Sequence, residues 1–390
     1  MPLDSSASFV ASEAALHEEA VKRAGADDFG DPSYLEGLRV VLDSYDREAH
    51  FTKMGRAIAF HGLADILAKR ARAEQLLKAR PEVLEHPIER PIIITGLVRT
   101  GSTALHHLVG QDPGIQVIEY WLGCQPQPRP PRDTWESHAD FKTAAAEIEA
   151  MYQTDPSLKA IHLMMPEGAE ECRHFLAQNF TDDYFQVNAT APSYNSWYEA
   201  KHIAATYTRH RKLLQLVGSP TPERRWVLKY PVHMKNMRAL LDEYPDACVV
   251  WTHRDPSQVM SSYISLVAGF RAIFEGETDR TAIAHEQLEI WAAAAEQAID
   301  VRRSLPPEQC FDLHFRDFRA DPVGAVQRIY THFDQPLSAA GERALRGWQE
   351  STPREKHGTH QHTMDDVGLT RTATLDRFAA YMEYFGIAAE

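Results

Sequence analysis

The stretch PIIITGLVRTGSTALHHLV, residues 91–109, decides the fold. Three isoleucines and a threonine in succession read as a strand buried on both faces. Gly96 and Gly101 bound a turn, and "STALHHLV" then begins a helix. Strand, glycine-bounded turn and helix is how phosphate-binding loops are built. The N–H groups of such a turn, with a helix N-terminus behind them, form a concave anion site. The glycine spacing is that of GxxxxGK[ST], yet Ser102 stands where a nucleotide triphosphatase needs lysine. Thr100, Ser102 and Thr103 can add hydroxyl donors, and Arg99 supplies positive charge from inside the loop.

Outward from this loop, "RRWVLKY" (residues 224–230) reads as a second strand ending at Lys229. "HMKNMRALLDEYP" reads as a helix and "ACVVWTHRD" (residues 247–255) as a third strand, closed by Asp255 and Pro256, which start the next helix. That β-α-β order implies a parallel sheet. A further short strand is expected at "CFDLHF". The fold class is therefore α/β, a P-loop-like central parallel sheet flanked by helices. Residues 1–88 read as an N-terminal helical extension, or cap, because "SYLEGLRVVLDSYDREA" and "GLADILAKRARAEQLLKARPEVL" carry apolar residues at helical spacing. Residues 89–390 form the core. Proline density between Tyr120 and Trp135 predicts an irregular, ordered loop or lid. Ligands of open α/β sheets bind outside the carboxyl ends of the strands. The loop of residues 96–103, Lys229 and Arg254 all fall at such ends, so one shared sheet would bring these cationic groups together.

Composition narrows the class further. The chain has 390 residues, 44% of them hydrophobic, enough for a large core. Its net charge of −14 argues against a nucleic-acid partner. Cys124, Cys172, Cys248 and Cys310 show no CxxC-type spacing, so neither a zinc site nor a disulfide framework is indicated, and a reducing, cytoplasmic compartment is expected. The first twenty residues lack a basic segment followed by an apolar run, unlike a signal peptide. No apolar run approaches the ~20 residues of a membrane span.

Two motifs carry a family resemblance. "ITGLVRTGSTALHHLV" resembles the 5′-phosphosulfate loop of sulfotransferases that use 3′-phosphoadenosine 5′-phosphosulfate (PAPS), closest to the bacterial branch with Arg-[ST]-Gly-[ST]-Thr that includes the tyrosylprotein-type enzymes. "THRDPSQVMSSYISL" resembles the 3′-phosphate motif of that family, an arginine at a strand end and a serine on the next helix. Ser262 follows Arg254 by eight residues, about two helical turns, which returns it to the same side. The resemblance covers roughly residues 90–370.

The resemblance implies transfer of a sulfuryl group from PAPS, leaving PAP, to a hydroxyl or amine of a small-molecule, lipid or carbohydrate acceptor. It implies in-line transfer without a metal. Arg99 would stabilise the sulfuryl oxygens, with Thr100, Gly101, Ser102 and Thr103 lining the loop, and Arg254 and Ser262 would hold the 3′-phosphate. Lys229 would neutralise the leaving phosphate. Glu119, 20 residues after Arg99, would be the general base. His162 is the alternative base, since imidazole is the default proton acceptor near neutral pH, with Glu170 and Glu171 orienting it or facing solvent. Lys356, His357 and Gly358 resemble the late basic-glycine loop over the 3′-phosphate and adenine, although this copy departs from the Arg-Lys-Gly of the cytosolic branch. The His-x-x-His-x-His spacing there is read as part of that loop and not as a metal site. Trp121, Trp135, Tyr194 and Trp197 are expected in irregular segments on the acceptor side, with core packing the main role of most of them. The helical prefix could pack against a second subunit. Two rival readings stand beside this one: a P-loop kinase or NTPase, which the missing lysine opposes, and a non-catalytic anion-binding protein.

Overall fold

The computed structural model describes residues 8–154, 164–352 and 369–389. Its centre is a five-stranded sheet of order β2-β3-β1-β4-β5, in which every pairing is parallel. The strands are β1 (Ile92–Gly96), β2 (Ile115–Gln116), β3 (Arg225–Lys229), β4 (Cys248–His253) and β5 (Cys310–His314). The isoleucine run of β1 is buried throughout because helices cover both faces. Its side chains alternate: Ile93 packs with Leu228, Val249 and Trp251 in one core, and Ile92 and Ile94 pack with Leu105, Leu108 and Val250 in the other.

Register aligns the strand ends. Ile94 lies opposite Lys229 on β3, and Gly96 lies opposite Thr252 on β4. The phosphate-type loop, Lys229 and Arg254 therefore leave the sheet at one level.

The prefix is helical as read, with helices Glu13–Ala24, Tyr34–Arg47 and Lys53–Ala79. The third starts at Thr52, whose side chain accepts from the Gly55 N–H and satisfies a free donor of the first turn. Leu38, Val41, Leu63 and Leu67 of these helices share the core that contains Ile93 and Trp251. Buried Arg70 fastens the prefix to the rest, donating to Asn179 Oδ1 at 2.6 Å and Gln178 O at 3.1 Å.

The proline-rich segment is less irregular than expected. Residues Tyr120–Cys124 contain no proline and form a short helix, and Arg132–Ser137 form a 3-10 turn, so only the prolines between them break the chain. The aromatic residues expected in irregular segments lie on helical turns, and their role is core packing. Trp121 and Tyr194 are fully buried helix residues and Trp135 is buried on the 3-10 turn. Trp197 lies on helix Pro192–Ala200, packed against the main core. β2, only two residues long, has no strand signature in the sequence. Among the described residues no helix is long and apolar enough to cross a membrane.

Candidate active site

The loop between β1 and helix Ser102–Val109 depends on its two glycines. Gly96 has φ 138°, and a Cβ there would lie 2.3 Å from Thr252 O. Gly101 has φ 84°, and a Cβ there would lie 2.8 Å from Phe315 Cδ2. Between them Arg99 itself has φ 59°, a left-handed conformation that costs a non-glycine residue roughly 1–2 kcal/mol. Such outliers cluster where surrounding structure holds a functional group in place. Here the holding is visible: Thr100 Oγ1 donates to Leu97 O at 2.8 Å and meets Thr252 Oγ1 at 2.7 Å. The Thr100 hydroxyl thus ties the loop to β4.

Lys229 ends β3 with its side chain 2% exposed. Its Nζ donates to Thr103 Oγ1 at 2.8 Å and forms an ion pair with Glu171. The backbone explains how Glu171 arrives there. Glu170 N donates to Ile118 O at 2.7 Å, Glu119 bridges Ala169, and Cys172 N donates to Lys229 O at 3.1 Å. The segment carrying Glu171 therefore runs from beside the first helix-strand connection to the end of β3.

Arg254 follows β4. Its guanidinium carbon lies 4.4 Å above the Phe315 ring, and Nη1 reaches Arg99 O at 3.5 Å. Phe315 thus supports both Gly101 and Arg254. Burial and then the nearby Arg254 charge lower the Arg99 pKa, while Glu171 opposes that shift. Two guanidinium groups close enough to disfavour each other's charge, with one carboxylate beside them, make a site that an anion would stabilise. Ser262 is half-buried on helix Pro256–Glu275, whose cap Asp255 accepts from Ser257 N at 2.7 Å.

Glu119 is placed differently. It is buried and accepts from Arg129 Nε at 3.1 Å, while Arg129 also donates to Gln116 Oε1 at 2.8 Å and Val117 O at 2.7 Å. Burial raises the Glu119 pKa against the opposing pull of Arg129 and Arg132. The charges around it are these arginines, whereas Glu171 is the carboxylate that pairs with Lys229 and acts on Arg99. The structure brings together Arg99, Thr103, Lys229, Arg254 and Glu171. His162, Lys356, His357 and Gly358 lie outside the described residues.

The sequence suggests no site role for Phe315 or Thr252, and for Glu171 it suggests either orienting His162 or facing solvent. Their partners are 58 to 214 residues away, so no local pattern marks them. Two open surface depressions, of about 570 and 500 Å³, are lined by residues including Arg328 and His332, and Arg303 and Tyr384, and contain none of the site residues. Converging charge at the strand ends defines the site.

Comparison with known proteins shows the family. Residues 91–339 match the sulfotransferase family. The chain belongs to that family. Over 254 residues it is 25% identical to the omega-hydroxy-beta-dihydromenaquinone-9 sulfotransferase Stf3 of Mycobacterium tuberculosis and of Mycobacterium bovis, covering 62% of this chain and 62% of those relatives. Among solved structures it resembles the sulfotransferase STF1 from Mycobacterium tuberculosis, with a TM-score of 0.87 and 36% identity over 96% of this chain and 100% of that one. It also resembles STF9 from Mycobacterium avium, with a TM-score of 0.89 and 26% identity over 97% of each chain.

Proposed function

We propose that this protein transfers the sulfuryl group of PAPS to a hydroxyl of a small-molecule acceptor without a metal. The observation that carries the proposal is Lys229, held between Thr103 of the phosphate-type loop and the Glu171 carboxylate. The residues fit the donor. The loop N–H groups, Arg99 and Lys229 suit a 5′-phosphosulfate, and Arg254 with Ser262 suits a 3′-phosphate.

PAPS supplies the sulfuryl group and a good leaving phosphate. Each residue then has a part in the exchange. The acceptor oxygen forms a bond to sulfur as the bond from sulfur to the bridging phosphate oxygen breaks. Lys229 and Arg99 neutralise the charge that develops on the departing phosphate and on the sulfuryl oxygens. Glu171 takes the acceptor proton. Glu171 is the counter-ion of Lys229. An anionic donor gives Lys229 a second partner and leaves the carboxylate available as a base. Glu119, engaged by Arg129, is assigned to holding the prolines that follow it, and His162 is kept as the competing base.

An alcohol on a lipid is the acceptor class we favour, because two mycobacterial relatives are named for an omega-hydroxylated dihydromenaquinone. Carbohydrate and other hydroxyls are alternatives. The four buried free thiols support a reducing, cytoplasmic setting. The reading is tested by incubating the protein with sulfur-labelled PAPS, in chelator, against lipid, sugar and phenolic alcohols. Label should pass to one class and fail to pass with Lys229→Met. Failure to bind PAP at all would overturn it.

A further inference from the structure

Both neighbours of Arg254 are held by the C-terminal helices. His253, the last residue of β4, is fully buried. Its Nε2 lies 2.9 Å from Asp312 Oδ1 on β5, and its Nδ1 lies 2.8 Å from the Tyr381 hydroxyl. A carboxylate accepts only, so the imidazole donates through Nε2 and accepts the Tyr381 O–H at Nδ1. Asp312 is steadied in turn by Arg302 Nη2 at 3.1 Å. On the other side of Arg254, Asp255 uses one carboxylate oxygen to cap helix Pro256–Glu275 and accepts from Arg371 Nη2 at 3.3 Å with the other. Arg371 and Tyr381 belong to the consecutive helices Arg371–Arg377 and Ala379–Phe385. Arg377, between these two contacts, pairs with Glu289 and Glu296 and fixes the helical pair to helix Arg280–Ser304.

We propose that the C-terminal helical pair is a positioning clamp that aims Arg254 and so sets the preference for a nucleotide bearing a 3′-phosphate. The proposal rests on the reading of Arg254 as the 3′-phosphate ligand. Neither Arg371 nor Tyr381 need touch the nucleotide. Tyr381 fixes the imidazole that ends β4, and Arg371 fixes the carboxylate that begins the next helix. With both ends of the Arg254 backbone held, its guanidinium keeps its seat over Phe315, 4.4 Å from the ring centre. A preorganised charged donor loses less freedom on binding and holds its anion more tightly.

The test compares affinity for PAP and for adenosine 5′-phosphate, which lacks the 3′-phosphate, by calorimetry on the full chain. Arg254→Ala should lower PAP affinity by roughly 10- to 100-fold and leave adenosine 5′-phosphate unchanged. Tyr381→Phe, which keeps the ring, and Arg371→Ala should each lower PAP affinity about 3- to 10-fold, also without effect on adenosine 5′-phosphate. Arg371→Lys should recover part of the loss. A clamp that merely stabilised the fold would weaken both nucleotides together, and that result would overturn the proposal. Unchanged PAP affinity in both clamp variants, with Arg254→Ala impaired, would overturn it too. If Arg254→Ala leaves the preference intact, the 3′-phosphate reading itself fails, and the clamp fails with it.

Discussion

Lys229 Nζ donates to Thr103 Oγ1 at 2.8 Å, joining the end of β3 to the first turn of the helix behind the phosphate-type loop. Each side chain fixes the other, and the pair stands beside the Glu171 carboxylate. An ammonium oriented before the ligand arrives is what charge stabilisation in a transition state requires.

Lys229→Met keeps much of the side-chain volume and removes the charge. Turnover at saturating PAPS should fall about 10²–10³-fold, the usual result of deleting one preorganised donor. PAP affinity should fall less. Single-turnover rates and PAP titration on the same preparation check this, and near-normal turnover would remove Lys229 from the mechanism.

Glu171→Gln and Glu119→Gln separate the two carboxylates. Loss of a general base typically costs about 10²–10⁴ in rate, so Glu171→Gln should show that loss and lose the acid limb of its pH–rate profile. Glu119→Gln should keep its turnover but lose stability, since Arg129 then faces no charge; a bond to a charged group typically contributes ~1.5–3 kcal/mol. His162→Asn, run alongside, identifies His162 as the base if it alone abolishes the acid limb.

The chain's own pattern carried most of the fold. β1, β3 and β4 are apolar runs because both sheet faces are covered, and such runs need no tertiary information to be read. The placement of residues 96–103 and Arg254 at strand ends was legible for the same reason: each follows a strand directly. Glu171 could not be placed with Lys229, because its position depends on hydrogen bonds to Ile118 and Lys229, reached across 52 and 57 residues of sequence. Glu119 was legible only in part. Its distance from Arg99 suits a base, but the side chain turns to Arg129, which stands among prolines that no periodicity rule describes. β2 is two residues long, too short to leave an alternating pattern.

Gly101→Ala tests the loop. A methyl group would meet the Phe315 ring at φ 84°, so the variant carries both a clash and a left-handed alanine. A loss of stability near 1–2 kcal/mol from the backbone alone is expected, together with weaker PAP binding. Thermal melting and PAP titration give the two numbers. Unchanged PAP affinity would mean that the loop does not hold the phosphosulfate end.

Acid should weaken the fold through buried histidines. Burial pushes the His210 pKa down to about 3, against an unfolded value near 6.5. The folded state keeps His210 neutral, so its contribution is complete above pH 6.5 and is lost as pH falls from there toward 3. Between pH 7 and pH 4.5 that group alone should cost about 2–3 kcal/mol. Asp182, raised to about 8 chiefly by burial, acts in the opposite direction between roughly pH 4 and 8. Taken with its sign, the stability lost between pH 7 and 4.5, from denaturant midpoints, should be about 2–3 kcal/mol less in His210→Gln than in the protein; equal values would contradict the assignment.

In the proposed function the converging cations hold a 3′-phosphorylated adenosine 5′-phosphosulfate without a metal. Calorimetry with PAP in excess EDTA tests it most directly, run on the protein and on Arg254→Ala, with ATP and magnesium as the competing ligand. One PAP should bind per chain, unaffected by EDTA and greatly weakened in Arg254→Ala, with no comparable binding of ATP with magnesium. Tight binding of ATP with magnesium, and no binding of PAP in EDTA, would contradict it.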